Sequence, residues 1–326
     1  MVARRASEFL HQCKFLVPTP EENTFIVYEV ENPKETAVIV FNSGSTGLPK
    51  GACLSHYGLM GHIYQVKSHT VPRNAPVLAI SNLYWISAVS LSLYFFTYGT
   101  NRIIYPNFDR DGVWNLIDKF KILGLFLNSY HALQLIKHGK PKGTDGSSVR
   151  SVLISGYSLT REQICKFKEC LTNVVAFNGY GQTETSGSSL ALNTNSKKDL
   201  ELLMKNPHSV GRPLSGYSYK IVDPDTEEIL GPNQPGELRV KSEYCMNGYY
   251  GTDSSYEWDS DGFLKSGDIA YYDEDNCFFI VDRIKDVLNY ITYRVYPAHL
   301  EKILLTHPAV HNAVVIGKPD EYQGDI

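Results

Sequence analysis

Residues 41–51 are Phe41-Asn42-Ser43-Gly44-Ser45-Thr46-Gly47-Leu48-Pro49-Lys50-Gly51, and they directly follow an apolar run at residues 36–40. A short β-branched run that ends in Ser, Gly and Thr is typical of a strand leading into a tight loop. Glycines allow backbone angles that a Cβ forbids, so successive N–H groups can converge on an anion. The hydroxyls add donors and Lys50 adds positive charge. The stretch therefore predicts a phosphate-binding loop, with a plain surface turn as the alternative.

This loop differs from the Walker A motif of P-loop kinases and ATPases. That motif needs four residues between its first glycine and a Gly-Lys pair, and Ser or Thr follows the lysine. Here Pro49 precedes Lys50, and Gly51 occupies the position of the magnesium-binding hydroxyl. A P-loop kinase or ATPase is therefore disfavoured.

Composition limits the classes of partner. The chain has 326 residues and a formal charge of -4, and 43% of its residues are hydrophobic, which is enough for a sizeable core of one or two domains. It has no run of Lys and Arg, which argues against nucleic acid as a partner. Its six cysteines form no C-x-x-C pair. Reduced thiols in an intracellular compartment are therefore expected.

Residues 74–101 carry no charge and include several aromatic side chains, so a membrane span has to be considered. The serines, asparagines and glycine within this stretch weaken that interpretation. A helix buried between a sheet and a neighbouring layer explains the same composition. We therefore expect no transmembrane span.

Strand and helix patterns alternate along the first two thirds of the chain. Helices are predicted over residues 54–68, from Asp111 to Phe120, and after a Thr160/Gln163 capping box. Strands are predicted at residues 36–41, 77–80, 102–105, 125–127, 151–154 and 174–177. The alternation indicates an α/β fold with parallel sheets covered by helices on both faces. From Gly211 onward, alternating patterns and polar turns indicate an antiparallel β subdomain.

A second glycine-containing loop follows the last predicted parallel strand, at residues 178–184. Ligands bind beyond the carboxyl ends of parallel strands, so chemistry is expected there. Glycines would let the backbone approach a flat ligand, an aromatic ring could stack on it, and a carboxylate could bind magnesium. The residues for these roles are Gly179, Tyr180, Gly181, Thr183 and Glu184. A turn without a ligand is the alternative.

Three motifs together resemble the adenylate-forming (AMP-binding) superfamily, in the branch of acyl-CoA synthetases, 4-coumarate–CoA ligases and beetle luciferases. The glycine loop is similar to Ser-Gly-(Ser/Thr)-Thr-Gly-x-Pro-Lys-Gly, and residues 180–184 are similar to Tyr-Gly-x-Thr-Glu. Ser266-Gly267-Asp268 and residues 282–286 follow in the family's order. The resemblance implies a partial AMP-binding domain over residues 1–281. It also implies a hinge and the beginning of a truncated α+β cap over residues 282–326.

The resemblance implies roles for individual residues. Thr46, Lys50 and Glu184 would be catalytic, Glu184 would also bind Mg²⁺, and Lys285 would form the hinge. Asp268 and Arg283 would contact the ribose. The residues implied for binding ATP are Ser43, Gly44, Ser45, Thr46, Gly47, Lys50, Gly156, Asn178, Gly179, Tyr180, Gly181, Thr183, Asp268 and Arg283. The substrate pocket would include Tyr84, Trp85, Ser87, Tyr157 and Gly187. The Gly-Tyr pair at residues 248–249 is expected to be scaffold.

The implied reaction activates a hydrophobic carboxylic acid, fatty or aryl, with ATP. It gives an acyl-adenylate and pyrophosphate, and coenzyme A then takes the acyl group to form a thioester. The small-molecule acid is the expected partner. The family implies a location in the peroxisome or the cytoplasm, although the chain shows no peroxisomal tripeptide at Ile326.

Three departures from the family pattern favour an alternative. The sequence has Tyr84-Trp85 where the family places a histidine near the carboxylate, and Trp85 cannot accept a proton. Residues 291–293 are Ile-Thr-Tyr where the family has Lys-Gly-Tyr, and no lysine matches the family's late cap lysine. The alternative is a catalytically inactive nucleotide-binding relative or fragment that regulates or binds another protein.

Overall fold

A computed structural model of the chain describes residues 24, 26, 29–42, 49–66, 75–105, 107–291, 293–305, 307, 309–310, 313–320 and 324–325. The chain divides into two units, residues 1–33 and residues 34–326, and the architecture below is that of the second unit. Residues 43–48 of the glycine loop lie outside the described residues.

The described elements are as follows in chain order. The strands are β1 (Thr36–Asn42), β2 (Lys50–Ser55), β3 (Pro76–Ala79), β4 (Asn101–Ile103), β5 (Gly124–Asn128), β6 (Ser151–Ser155), β7 (Val175–Asn178), β8 (Tyr180–Gln182), β9 (Gly187–Ala191), β10 (Arg212–Pro213), β11 (Ser218–Val222), β12 (Ile229–Leu230), β13 (Gly236–Lys241), β14 (Leu264–Tyr272), β15 (Phe278–Arg283), β16 (Leu288–Tyr290), β17 (Tyr293–Val295), β18 (Pro319–Asp320) and β19 (Gly324–Asp325). The helices are α1 (His56–Val66), α2 (Ile86–Tyr98), α3 (Arg110–Phe120), α4 (Ser129–His138), α5 (Arg161–Cys170), α6 (Lys197–Lys205) and α7 (Pro297–Leu304).

A five-stranded parallel sheet forms the centre, in the order β4-β3-β5-β6-β7. Helices α3, α4 and α5 cover one face, where Trp114 and Phe167 pack against Val152. Helices α1 and α2 cover the opposite face, where Ile63 and Phe95 pack together. The predicted α/β fold with a parallel sheet covered on both faces is therefore confirmed.

The helix predicted over residues 54–68 was wrong at its start. Residues up to Ser55 belong to β2, which pairs with β1 as an antiparallel hairpin, and α1 begins at His56. Ala52 and Leu54 of β2 are fully buried in a core that also contains Val40. Ala52 and Leu54 are two residues apart and so point to the same face of β2, and pairing with β1 completes its backbone hydrogen bonds. The glycine loop therefore connects β1 to β2. The expectation that it leaves a strand of the parallel sheet is wrong.

The second half of the chain is mostly antiparallel, as predicted. Five strands form a sheet in the order β12-β11-β13-β14-β15, and β10-β9-β8 form a second sheet. The predicted pairing near residues 270–281 is confirmed, because Tyr271 lies opposite Phe279 and Tyr272 lies opposite Phe278. These sheets bring β8, β9 and the end of β15 toward the central sheet.

The last described segment is small and mixed. Strands are arranged in the order β17-β16-β19-β18. Helix α7 begins with Pro297, and the Asp282 carboxylate accepts a hydrogen bond from the Ala298 backbone N–H at 2.9 Å. The segment therefore combines a helix with short strands, and its assignment as the beginning of a cap stays a prediction.

The uncharged stretch forms β3 and the 13-residue helix α2. The helix ends at Gly99, which adopts a left-handed conformation with φ of 62°. No helix within the described ranges has both the length and the apolar character needed to cross a membrane. Helix α4 was not predicted. It begins at an Asn128 cap, whose side chain accepts from the His131 N–H, and this is a local signal that sequence reasoning missed.

Candidate active site

A cavity of about 990 Å³ lies beyond the carboxyl ends of β6 and β7 and extends beneath α2. Segments far apart in the sequence form its walls. Lys50 comes from β2, Glu184 from the loop after β8, and Arg283 from the end of β15. A cavity of about 550 Å³ adjoins it, because Gly156 and Lys285 line both.

Most of the described residues that were predicted for the site line one of these cavities. The larger cavity includes Lys50, Trp85, Ser87, Gly156, Gly181, Thr183, Glu184, Gly187, Arg283 and Lys285. The smaller cavity includes Gly156, Tyr157, Gly179, Tyr180, Gly181, Asp268, Arg283 and Lys285. Lys50 from the end of the first loop, the second glycine-containing loop and the Ser-Gly-Asp motif therefore line the same two adjoining cavities.

Glu184 is held by two side chains from other elements. Its Oε1 accepts a hydrogen bond from the Tyr249 hydroxyl at 2.6 Å and another from the Asn42 side-chain amide. Burial, together with the nearby Glu184 carboxylate, raises the pKa of Tyr249, so this hydroxyl stays protonated and donates. Tyr249 was expected to be only scaffold. The structure places it in the cavity wall instead, in direct contact with the candidate magnesium ligand.

Lys50 is paired with a carboxylate that sequence reasoning missed. Its Nζ lies 3.1 Å from Glu257 Oε1, 4.8 Å from the centre of the Tyr249 ring and 5.8 Å from that of Tyr256. Partial burial opposes the charged form, but the interactions with Glu257 and Tyr256 outweigh it and raise the pKa of Lys50. The amine is therefore a cation that faces the cavity. Glu257 lies 207 positions from Lys50, so no local pattern indicates the pair.

Asp268 is the centre of a second polar cluster. One of its oxygens accepts from the Tyr180 hydroxyl at 2.6 Å and from the Gln182 amide at 2.8 Å, and the other lies 2.8 Å from Arg283 Nε. Only 3% of Asp268 is exposed. Burial raises the pKa of Asp268, although Arg283, Tyr180 and Gln182 all favour the carboxylate. Gln182 lies inside the predicted loop but had not been assigned a role.

Two groups of the described residues that were predicted for the site are not joined to these clusters. The buried Asn178 side chain accepts from the Leu159 N–H at 2.9 Å and donates to the Leu159 carbonyl at 3.1 Å, so it serves as a structural link rather than as part of a cavity wall. Tyr84 is 75% exposed and lines neither cavity, and Tyr157 lines only the smaller one, so the predicted acid pocket is divided. Ser43, Gly44, Ser45, Thr46 and Gly47 lie outside the described residues.

Two glycines keep the cavity open. Gly156 and Gly267 have φ of 93° and 70°, which favours glycine. A Cβ on Gly267 would meet no atom within 4 Å, and one on Gly156 would come no closer than 3.9 Å to Ser129. Side chains at these positions would occupy cavity space. The cations Lys50 and Arg283 suit phosphate, and the carboxylate of Glu184 suits a hard divalent cation, so the site fits a nucleotide with magnesium.

His62 of α1 also lines the larger cavity and was not predicted. It is 3% exposed, and burial lowers the pKa of its ring to about 4, although a hydrogen bond with the Ser188 backbone opposes this shift. Gly187 has φ of 133°, and a Cβ there would lie 2.6 Å from His62 Nε2. Glycine is therefore favoured at position 187 by the close contact between β9 and α1, and its role in the substrate pocket stays a prediction.

The chain is similar to known proteins in both sequence and fold. The family described as AMP-binding enzyme matches residues 8–250. A protein named "Probable 4-coumarate–CoA ligase 1" from Dictyostelium discoideum is 33% identical over 307 residues, which cover 92% of this chain and 54% of that protein. The luciferin 4-monooxygenase of Photuris pensylvanica is 30% identical over 298 residues, which cover 90% of this chain and 53% of that protein.

A solved structure shows the same fold. It is a luciferase-like enzyme from the nonluminescent mealworm Zophobas morio, with a TM-score of 0.76 and 34% identity, covering 83% of this chain and 62% of that one. The chain spans about half the length of the curated relatives it matches. The family match covers most of the chain and includes the two glycine-containing motifs, so the protein belongs to the family of AMP-binding enzymes.

Proposed function

We propose that the chain is the nucleotide- and acid-binding part of an acid–thiol ligase. The carboxylate of a hydrophobic acid would attack the α-phosphorus of ATP, releasing pyrophosphate and forming an acyl-adenylate. Coenzyme A would then take the acyl group as a thioester. Membership of the AMP-binding family supports the first step, and the name of the 4-coumarate–CoA ligase relative supports the second.

One observation carries the proposal. Lys50, Glu184 and Arg283, from three distant segments, line one cavity that continues along an apolar wall beneath α2. The chemical difficulty of the reaction is to bring a carboxylate and a phosphate together, since both are anions. Lys50 and Arg283 would offset the negative charge of the phosphates, while the apolar wall would hold the rest of the acid. Positioning would then be the main catalytic contribution.

We assign the remaining polar residues to binding the nucleotide. Asp268 would accept hydrogen bonds from the ribose hydroxyls, and it is already oriented by Tyr180, Gln182 and Arg283. Glu184 would hold magnesium, because both of its described hydrogen bonds are accepted by Oε1 and Oε2 can coordinate a cation. Magnesium would supply further charge stabilisation to the phosphates.

We also propose a division of the chain into domains. Residues 1–281 would form part of the AMP-binding domain, and residues 282–326 would form the hinge, at Lys285, and the beginning of the cap. The thioester step would depend on that cap. A peroxisomal or cytoplasmic location is proposed from the family and from the free cysteines among the described residues.

The test is exchange of labelled pyrophosphate into ATP, measured with and without a panel of hydrophobic acids. Glu184→Gln keeps the size of the side chain but removes its charge, so we expect exchange to fall by at least about a hundredfold if magnesium depends on it. Glu243→Gln is the matched control, because Glu243 is 66% exposed and pairs with Lys34 at 3.6 Å. Absence of both ATP binding and exchange would contradict the proposal.

A second candidate is a nucleotide-binding relative without catalytic activity. The ion pair between Lys50 and Glu257 favours it, because a phosphate would have to compete for that cation. Trp85, in place of the family's histidine, lines the cavity but supplies no basic group. This candidate predicts that ATP or AMP binds with no exchange for any acid tested.

A further inference from the structure

The larger cavity has an extended part that lies along strand β6. Ser151, Leu153 and Ser155 all line it, and residues at this spacing point to the same face of a strand. Val152 and Ile154, which point to the other face, are fully buried in the core against α3–α5. The three lining residues are only partly buried, so one face of β6 is open to the cavity along the whole strand.

Helix α2 forms the facing wall. The residues that line the cavity recur at helical spacing and so occupy one face of the helix: Ile86, Ser87, Ser90, Leu91, Tyr94 and Phe95. Together, these two walls define a space that we call the slot. Because β3 and β4 are parallel and α2 connects them, α2 runs antiparallel to the strands. Its first turn therefore lies at the carboxyl end of β6 and its last turn lies toward Ser151.

The length of the slot can be estimated in two independent ways, which agree. Ser151 and Ser155 are four residues apart on β6, which corresponds to about 13 Å at the rise of a strand. Ile86 and Phe95 are nine residues apart on α2, which corresponds to about 14 Å at the rise of a helix. Gly124, at the first residue of β5, also lines the cavity, so the slot reaches the amino-terminal edge of the parallel sheet.

Charge is distributed unevenly along the cavity. The side chains of the slot named above carry no charge, and His62 beside them is neutral at physiological pH. Gly156 directly follows β6 and lines both cavities together with Arg283 and Lys285. Arg283 and Lys285 therefore lie near the carboxyl end of β6, and the slot leads away from them between uncharged side chains.

We propose that the slot binds the hydrocarbon chain of an extended, unbranched aliphatic carboxylic acid of on the order of ten carbon atoms, in preference to a single-ring aryl acid. The inference rests on the proposed function, because that function places the carboxylate at the charged end. A carbon chain advances by somewhat less than a bond length of about 1.5 Å per atom, so a chain of this length fills the slot. A compact ring would leave the part next to Ser151 empty.

The experiment measures equilibrium binding of hexanoate, octanoate, decanoate, hexadecanoate and 4-coumarate to the whole chain by calorimetry. We expect the affinity to rise about fourfold for each added methylene up to about ten carbons and then to level off. Decanoate should bind more tightly than 4-coumarate. Tighter binding of 4-coumarate, or an affinity that stops rising at hexanoate, would overturn the proposal.

Variants at the far end test the location. Ser151→Phe should weaken decanoate binding by at least about tenfold and leave hexanoate binding unchanged, because the ring would fill only the end of the slot. Ser151→Leu is a smaller substitution that tests the same end if the phenylalanine variant does not fold. Ser147→Phe is the matched control, since Ser147 is exposed on a turn. An equal loss of affinity for both acids, or no loss for either, would overturn the proposal that the acid binds in the slot.

Binding of AMP, measured on the same samples, separates the two proposals. If AMP binds and the acids show no dependence on chain length, the slot is wrong and the proposed function stands. If the acids follow the expected series but AMP does not bind, the slot is supported and the ligase function is wrong.

Discussion

Lys50, the lysine at the end of the glycine loop, forms an ion pair with Glu257. Both side chains are mostly buried, with exposures of 22% and 18%. A phosphate group that binds Lys50 must share it with this carboxylate and must also approach a negative charge. A partly buried pair of this kind contributes on the order of 1 kcal/mol. The charge of Glu257 is therefore expected to lower the affinity of the site for a nucleotide.

Glu257→Gln tests this effect. We expect the variant to bind ATP about fivefold more tightly, because the amide can still contact Lys50 but neither competes as an anion nor repels phosphate. Fluorescence titration with a labelled ATP analogue would measure the change. Glu243→Gln, on an exposed surface, should leave the affinity unchanged. Weaker binding by Glu257→Gln would show that Glu257 positions Lys50 instead.

At the scale of an element, the β16–β17 hairpin contains a strained turn. Tyr290 pairs with Tyr293, so only two residues connect the strands, and Ile291 has φ of 55°. A left-handed conformation costs a β-branched residue roughly 1–2 kcal/mol, whereas glycine adopts it readily. The family's glycine corresponds to Thr292, which lies outside the described residues, so the φ of Ile291 is a separate source of strain in this turn.

Ile291→Gly should stabilise the hairpin by about 0.5–1 kcal/mol, since relief of strain exceeds the added entropy of glycine in the unfolded chain. Slower hydrogen exchange of the backbone amides in β16 and β17 would measure the gain. Ile303→Gly is a contrasting variant in helix α7, where glycine should be destabilising. Faster exchange in the hairpin of Ile291→Gly would contradict this account.

At the scale of the whole molecule, His62 couples global stability to pH. Burial lowers the pKa of His62 to about 4 in the folded chain, from the ordinary value of 6.5. Between these values the unfolded chain binds a proton that the folded chain does not. The contribution of His62 to stability is therefore fully present above pH 6.5 and falls as the pH is lowered toward 4.

The expected loss between pH 7 and pH 5 is about 2 kcal/mol in the free energy of unfolding. Urea unfolding at both pH values would measure it, and His62→Gln should remove this part of the pH dependence. Carboxylates also titrate in this range, so the difference between the wild type and His62→Gln is the quantity to compare. His299→Gln, an exposed substitution in α7, should keep the full dependence. An unchanged slope in His62→Gln would exclude His62 as the cause.

Local patterns predicted the parts of the fold that depend on neighbouring residues. The alternation of strands and helices, the Thr160 capping box and the strand pair around Tyr271 were all confirmed. The predicted start of α1 was wrong, because residues 50–55 form a strand through their pairing with β1 and the burial of Leu54. A window of sequence does not contain that partner.

The sequence by itself determined the family and the identity of the phosphate, ribose and magnesium candidates, because short motifs carry the residue types that such chemistry needs. Only the tertiary structure decided how those candidates are held. Glu257 meets Lys50 across 207 positions, Tyr249 meets Glu184 across 65, and the slot arises where one face of β6 lies opposite one face of α2. Contacts between distant segments depend on how the sheets and helices pack together, and local sequence patterns do not determine this packing.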